Sequence, residues 1–517
     1  MDFVKIREFT RKFWAVILVF LIAFSVRVFY ISQKSGLHVD ESLSYIISSV
    51  NKYGWRDSIP AGTEYTGHEL LNLTFGNPSS IKETFKDVGK MYIDTRDSSW
   101  PNLYYTCLRI FSAAADDYEL KSLIARGCAL NLLFFTLSFF YFFKLLQILF
   151  KDEDKQKYIP FALFIAYMNT GAISNTLYIR PYQLQEAMLV IMTYIFAIFY
   201  NDIKNNKCNL PPKKIILTAL VMSVVSLSGY FCLIYEGLLG IILLYHCFKN
   251  KDYRTAGKLV LIFVLNIVFA NLLYLRFIFG IRDPRAADVY YNAFINSENI
   301  RLSSQRILTL LTHFLFYPAI IVLTIISAAV RKNKKEINRL LLVISGAAFV
   351  WCLTIMYLAP YKILRYIMPI FPLMTLVLAE FVQRVNFKIS YVYAGLYLWA
   401  AIFASSLDYG APRPEKIIPF SAPVENVFRR ADEQFSFRYK PEITVFINEA
   451  KPWTAASLFP YVNTSQTYKF VDFAFLENKL YPENSFIVFP QEKSLPEEET
   501  FQKLDCGLYY KCFETGD

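Results

Sequence analysis

Apolar residues in this chain come in long runs separated by short polar segments. The first run spans Phe13 to Ser32, and others cover residues 122–149, 158–178, 182–200, 215–230, 232–248, 258–279, 306–330, 340–359, 366–382 and 389–407. Most reach about 18 residues, enough for a helix to cross a hydrocarbon core roughly 30 Å thick. The pattern predicts an α-helical polytopic membrane protein with about eleven transmembrane helices. The runs at 215–230 and 232–248 are short enough to be counted as one.

Two stretches depart from this pattern. Residues 33–121 form a long polar segment with helical signals inside it. Leu43, Ile46, Ile47 and Val50 recur at helical spacing directly after Asp40-Glu41, which predicts a short amphipathic helix lying flat on the bilayer. Ser80-Ile81-Lys82-Glu83 has the form of a capping box opening a helix toward Tyr92. Trp100-Pro101 then starts a third helix, whose Leu103, Cys107, Ile110, Phe111 and Ala114 share one apolar face suited to the membrane interface. From Asp408 onward the long runs stop. Ile443 to Asn448 and Ser485 to Phe489 read as strands and Thr454 to Phe459 as helical, so residues 408–517 are expected to be a small soluble α/β domain. The division predicted is 1–407 for the membrane domain, with 33–121 as its structured first exported loop, and 408–517 for the tail.

Composition agrees with the membrane reading. Of 517 residues, 55% are hydrophobic and 17% aromatic. The formal charge of +11 raises nucleic acid as a partner. Its distribution excludes that, because the basic residues gather in alternate connections: Lys151 to Lys157, Lys204 to Lys214, Lys249 to Lys258, Arg331 to Arg339 and Arg384 to Lys388. Under the positive-inside rule these lie with the N-terminus on the cytoplasmic side. Asp40, Asp97, Arg180, the 280–305 loop, Arg365 and the tail then lie outside. Lys5, Arg7, Arg11 and Lys12 before the first run resemble a signal peptide, but the run is too long for an h-region and lacks a small-x-small cleavage site. Of the eight cysteines, Cys506 and Cys512 sit in the polar tail, as a disulfide pair or as two free thiols.

Candidate chemistry collects on the outer side. In Gly36-Leu37-His38-Val39-Asp40-Glu41-Ser42, Asp40 reads either as the N-cap of the following helix or as a general base for an acceptor hydroxyl. Capping explains one acid and leaves Glu41 unexplained. Asp97 precedes another interfacial helix, where Asp-Ser-Ser is also ordinary helix-start chemistry. Arg180 and Arg365 each stand between apolar runs, where charge costs on the order of 2.5–3.5 kcal/mol at the bilayer centre and less near its surface. They read as residues snorkelling to headgroups, or as a bidentate clamp on a lipid-linked phosphate. His38 is an orienting candidate, and Glu236 a candidate partner for an arginine. Asn72-Leu73-Thr74 and Asn463-Thr464-Ser465 fit the glycan-acceptor pattern, a match short enough to arise by chance. No zinc-ligand spacing, Walker loop or dinucleotide fingerprint is present.

Four segments, in order, resemble the polyprenyl-phosphate-dependent glycosyltransferases of the GT-C superfamily, of the family 39 type related to protein mannosyltransferases and the lipid A aminoarabinose transferase. Val39-Asp40-Glu41-Ser42-Leu43 resembles the Asp-Glu motif of the first exported loop. Trp100-Pro101-Asn102-Leu103-Tyr104-Tyr105 resembles the His-Pro-Pro-Leu-Tyr-Tyr segment, with tryptophan for histidine and asparagine for the second proline. Arg180-Pro181-Tyr182-Gln183-Leu184 and Arg365-Tyr366-Ile367-Met368-Pro369 resemble the two arginine segments.

The resemblance implies a GT-C architecture over about residues 10–407 and a sugar on a polyprenyl monophosphate as donor. Asp40 would act as base with inversion, Glu41 and Asp97 at the same centre. Arg365, Arg180, Tyr182 and Tyr366 would hold the donor phosphate, and His38, Trp100, Tyr104 and Glu236 would orient groups or bind the acceptor. No catalytic metal is obligatory, although a divalent cation stays open. The expected partners are membrane lipid, the lipid-linked sugar and a lipid, glycan or protein acceptor, at the outer face of a bacterial cytoplasmic membrane. Two rivals stand beside this: a transporter or flippase of a lipid-linked or anionic substrate, and a ligase or polymerase using a polyprenyl-diphosphate donor.

Overall fold

The computed structural model describes residues 3–34, 36–76, 80–97, 100–113, 115, 118–151, 153–205, 208–280, 297–309, 338–359, 364–382, 442–447, 451–472, 486–490, 502–505 and 510–514. The chain divides into two compact units: Met1–Tyr30, Ser98–Leu103 and Asn131–Ser421 in the first, Ile31–Asp97, Tyr104–Leu130 and Ala422–Asp517 in the second.

The helices are α1 (Phe3–Gln33), α2 (Val39–Ser48), α3 (Gly67–Thr74), α4 (Ile81–Ile93), α5 (Leu103–Phe111), α6 (Leu120–Leu149), α7 (Ile159–Tyr167), α8 (Thr170–Leu177), α9 (Tyr182–Lys204), α10 (Pro212–Ser228), α11 (Tyr230–Lys249), α12 (Tyr253–Leu273), α13 (Ser297–Thr309) and α14 (Arg339–Leu358), with single turns between some of them. Among the described residues, six helices are long and apolar enough to cross a membrane: Phe13–Gln33 of α1, then α6, α9, α11, α12 and α14. Gly229 separates α10 from α11, so that stretch holds two helices. The spans expected at 306–330 and 389–407 fall almost wholly outside the described residues.

Two expected spans are interrupted in the first unit. Residues 158–178 form α7 and α8 and not one rod. Asn169 makes the break: its Oδ1 accepts from Ala172 N at 2.9 Å, and its amide donates to Ala166 O at 2.6 Å. An Asn cap ends one helix by starting the next. Gly171 then lets the Phe371 ring approach, since a Cβ there would lie 2.4 Å from it. Residues 366–382 are likewise broken, into 3₁₀ turns Leu364–Tyr366 and Met368–Ile370 and short helices Phe371–Met374 and Leu376–Val382. Pro369 and Pro372 remove the amides that a continuous helix would use.

The second unit is built on one six-stranded sheet in the order β1-β3-β2-β4-β6-β5. Here β1 is Glu64–Thr66, β2 Glu442–Ile447, β3 Thr467–Asp472, β4 Phe486–Pro490, β5 Gln502–Asp505 and β6 Tyr510–Glu514. The two expected tail strands are β2 and β4. The expected tail helix is two 3₁₀ turns, Pro452–Ser457 and Phe459–Tyr461, each carrying proline in its first turn. β1 comes from the segment after the first span and runs antiparallel to β3, Tyr65 opposite Tyr468. Leu70 of α3 lines the same apolar core as Ile443, Val445, Phe459 and Phe470. The first loop and the tail thus share a sheet and a core, where the sequence suggested separate domains.

This arrangement corrects the expectation for α2. Every one of its residues except Asp40 is buried, and it packs on Pro452–Ser457, so its apolar stripe meets protein and not lipid. At α4 the helix forms as expected, but Ser80 makes no side-chain cap bond and Glu83 pairs with Lys86 at 3.0 Å. In α5, Ile110 and Phe111 of the predicted apolar face are exposed, Leu103 packs against the buried cluster of Leu227, Ala270, Tyr274 and Phe277, and Ala114 lies outside the described residues.

Candidate active site

The candidate residues fall into two groups, one in each unit. The acidic group lies in the second. His38, and not Asp40, is the N-cap of α2. Its Nδ1 accepts from Asp40 N at 3.2 Å, and Glu41 reaches back to accept from His38 N at 2.7 Å, completing a capping box. An Nδ1 that accepts this bond carries no proton, so its 3.6 Å approach to Asp40 Oδ2 is not an ion pair in that state. Glu41 is wholly buried and also takes Lys34 Nζ, at 2.8 and 3.0 Å to its two oxygens. The cap's carboxylate is therefore Glu41, while Asp40 stays 22% exposed beside it. The other acid, Asp97, is buried and accepts from the Tyr105 hydroxyl at 2.8 Å.

The turn bearing Asp97 is held from both sides. Thr95 Oγ1 bonds Asp97 O at 3.0 Å, and Arg96, in the left-handed region at φ 64°, sends its guanidinium to Asn51 O at 2.6 Å and Lys52 O at 3.2 Å. Trp55 Nε1 returns a bond to Arg96 O at 2.7 Å. Tyr104 is buried edge-on to Tyr105, with ring centroids 6.1 Å apart. The sequence points to Tyr104, whereas the structure gives the bond to Asp97 to its neighbour Tyr105, and the Tyr-Tyr doublet is the signal for both.

The basic group lies in the first unit and brings five predicted residues together. Arg365 Nη1 donates to the Tyr178 hydroxyl at 2.9 Å, and its guanidinium carbon lies 5.8 Å from the centroids of both the Tyr178 and Tyr366 rings. Tyr178 stacks on Tyr182 at 5.8 Å, and Tyr182 meets Tyr366 at 6.4 Å and Trp100 at 5.5 Å. Arg180 closes the row, its guanidinium 5.7 Å from the Trp100 ring centroid. Two guanidinium groups thus lie against one connected set of aromatic rings, which favours cations near their faces. Tyr178, which takes the Arg365 hydrogen bond and stacks on Tyr182, is a residue that the sequence did not single out. Its spacing of four from Tyr182 was the available signal.

A neighbouring corner admits only glycine. At Gly229 a Cβ would sit 1.9 Å from Gln185 Nε2 and 3.4 Å from Trp100. The Gln185 amide uses that room to donate to Ser228 O at 3.2 Å. Glu236 has other partners: its Oε2 accepts from Asn266 at 2.7 Å and Ser226 at 3.0 Å, and among the described residues no arginine pairs with it. Among the described residues no three of His, Cys, Asp and Glu gather in a metal-binding group.

The architecture is a mostly helical fold of the GT-C type, and six of its helices among the described residues are long and apolar enough to cross a membrane. Among solved structures, ArnT from Cupriavidus metallidurans bound to undecaprenyl phosphate shares this fold. That protein is 11% identical, with a TM-score of 0.52, and the match covers 97% of this chain and 98% of that one. No family model and no curated protein matches this chain.

Proposed function

We propose that this protein is an integral-membrane glycosyltransferase that moves a sugar from a polyprenyl monophosphate to a hydroxyl of a lipid, glycan or protein at the outer face of the membrane. The observation that carries the reading is the pairing of Arg180 and Arg365 on one aromatic set, in a fold shared with a protein that binds undecaprenyl phosphate. Guanidinium groups recognise phosphate through paired N–H donors, and polyprenyl tails suit a site within membrane-spanning helices.

In the proposed reaction Asp40 takes the proton from the acceptor hydroxyl, whose oxygen attacks the anomeric carbon. The bond from that carbon to the phosphate oxygen breaks and its electrons stay on the lipid phosphate. The phosphate gains negative charge as it leaves, and Arg180 and Arg365 stabilise that gain. A single displacement predicts inversion. Asp40 suits the base role because it is the partly exposed acid, while Glu41 and His38 set the helix start around it. Asp97, held by Tyr105, is assigned to acceptor binding.

The test is a deletion strain examined for one missing envelope sugar, complemented with wild type and with Asp40→Asn. Loss of one glycan, restored only by wild type, supports the reading. Full restoration by Asp40→Asn, together with transfer by that purified variant, removes Asp40 as base. Release of lipid diphosphate in place of monophosphate overturns the donor class.

A further inference from the structure

Arg27 lies in the first span, and its side chain is wholly buried. Such a charge persists in a membrane segment only with partners. Here every arm of the guanidinium is engaged. Nε donates to Thr176 Oγ1 at 2.9 Å, Nη1 to Ala23 O at 3.0 Å, and Nη2 to Tyr167 O at 3.0 Å and Ala172 O at 3.1 Å. Its flat face covers the Phe135 ring at 3.9 Å. Tyr167 ends α7 and Ala172 lies in the first turn of α8, so one nitrogen bonds both sides of the helix break.

The bonds continue beyond Thr176. Its hydroxyl donates to Gln183 Oε1 at 2.6 Å, and Gln183 Nε2 donates to Glu186 Oε1 at 2.8 Å. Glu186 also accepts from Asn175 at 2.9 Å and Ser138 at 3.1 Å. A guanidinium only donates and a carboxylate only accepts, so this relay has one direction and sets the Gln183 amide. It bridges the corner that carries Tyr178, Arg180 and Tyr182: Thr176 stands before that corner and Gln183 after it. From the side, Asn131 Nδ2 donates to Thr176 O at 3.1 Å and to Tyr178 O at 2.9 Å. Arg180 N bonds back to Tyr178 O at 2.7 Å.

We propose that Arg27, Thr176, Gln183 and Glu186 are positioning residues for the anion clamp, holding this corner so that Tyr178 meets Arg365 and Arg180 meets Trp100. This rests on the reading of the two arginines as a lipid-phosphate site. The hydroxyl of Thr176 is the link whose removal changes the least volume, and serine keeps it.

The experiment uses the full-length protein in detergent, as wild type, Thr176→Val and Thr176→Ser, with Gln183→Met as a second break in the relay. Affinity for undecaprenyl phosphate is measured beside amide hydrogen exchange in the peptide covering residues 178–184 and the melting temperature. The expected result is an affinity about tenfold weaker and faster exchange in Thr176→Val and Gln183→Met, with Thr176→Ser like wild type. Wild-type affinity and exchange in both breaking variants overturn the relay, as does a loss in Thr176→Ser equal to that in Thr176→Val. If Thr176→Val does not fold, Gln183→Met carries the same comparison. Wild type that binds no lipid phosphate overturns the clamp reading instead, and the exchange data then decide the relay alone.

Discussion

Asp40 and Glu41 are adjacent carboxylates with unlike surroundings, and the difference sets what each can do. Glu41 has Lys34 on both oxygens and the His38 amide on one, whereas Asp40 keeps contact with solvent. Asp40→Asn is expected to retain lipid-phosphate binding while transfer falls by about 10²–10⁴-fold, the usual contribution of a general base. Single-turnover assays with lipid-linked sugar measure it. Asp97 depends on Tyr105 for a charge-assisted hydrogen bond. Tyr105→Phe is expected to slow transfer about tenfold at unchanged lipid-phosphate affinity, read as a change in kcat or acceptor KM. Arg365→Lys keeps the charge but loses the planar group between two tyrosines, so the donor KM is expected to rise about tenfold.

At the scale of elements, the informative features are interruptions. Hydropathy alone sees residues 158–178 as one apolar run, since Asn169, Thr170 and Gly171 are too few to lower a long average. The structure shows what they do. Asn169 caps α8, and Gly171 gives the Phe371 ring its place. Gly171→Ala is expected to destabilise the protein by about 1–3 kcal/mol through overpacking, and Phe371→Leu in the same chain to recover part of that loss. Thermal melting in detergent of both variants checks it. The same logic explains α2: its i, i+3, i+4, i+7 stripe is real, but a stripe says only that something apolar covers it. The cover is Pro452–Ser457 from the far end of the chain.

At the scale of the whole molecule, the tail is not an appendage. β1 from the first loop is an edge strand on β3, and α2 and α3 bury their apolar residues in the second unit with residues from the tail. A chain ending before Glu442 would lose the five strands β2 to β6, among them β1's neighbour β3, exposing the apolar sides of α2 and α3. Such a truncation is expected to make residues 39–76 rapidly cleaved by limited proteolysis and the protein prone to aggregate. Intact, slowly cleaved 39–76 segments in the truncated protein would show that the loop folds alone.

Sequence by itself determined the class of the molecule, because length and apolarity of a helix are local properties that a bilayer reads directly. It also marked Asp40, Arg180 and Arg365, since charge beside apolar runs is visible without a fold, while Tyr182 and Tyr366 were marked only by the resemblance of the segments that carry them. Tertiary structure decided the rest. It assigned the cap to His38, gave Glu41 to Lys34, set two distant arginines against one row of rings running from Trp100 through Tyr182 to Tyr178, and paired a loop strand with the tail. Each of these is a contact between residues whose spacing along the chain carries no periodic signal, or a choice between neighbours with the same chemistry. Asp40 and Glu41 are alike as letters, and only their partners make one a support and leave the other toward solvent.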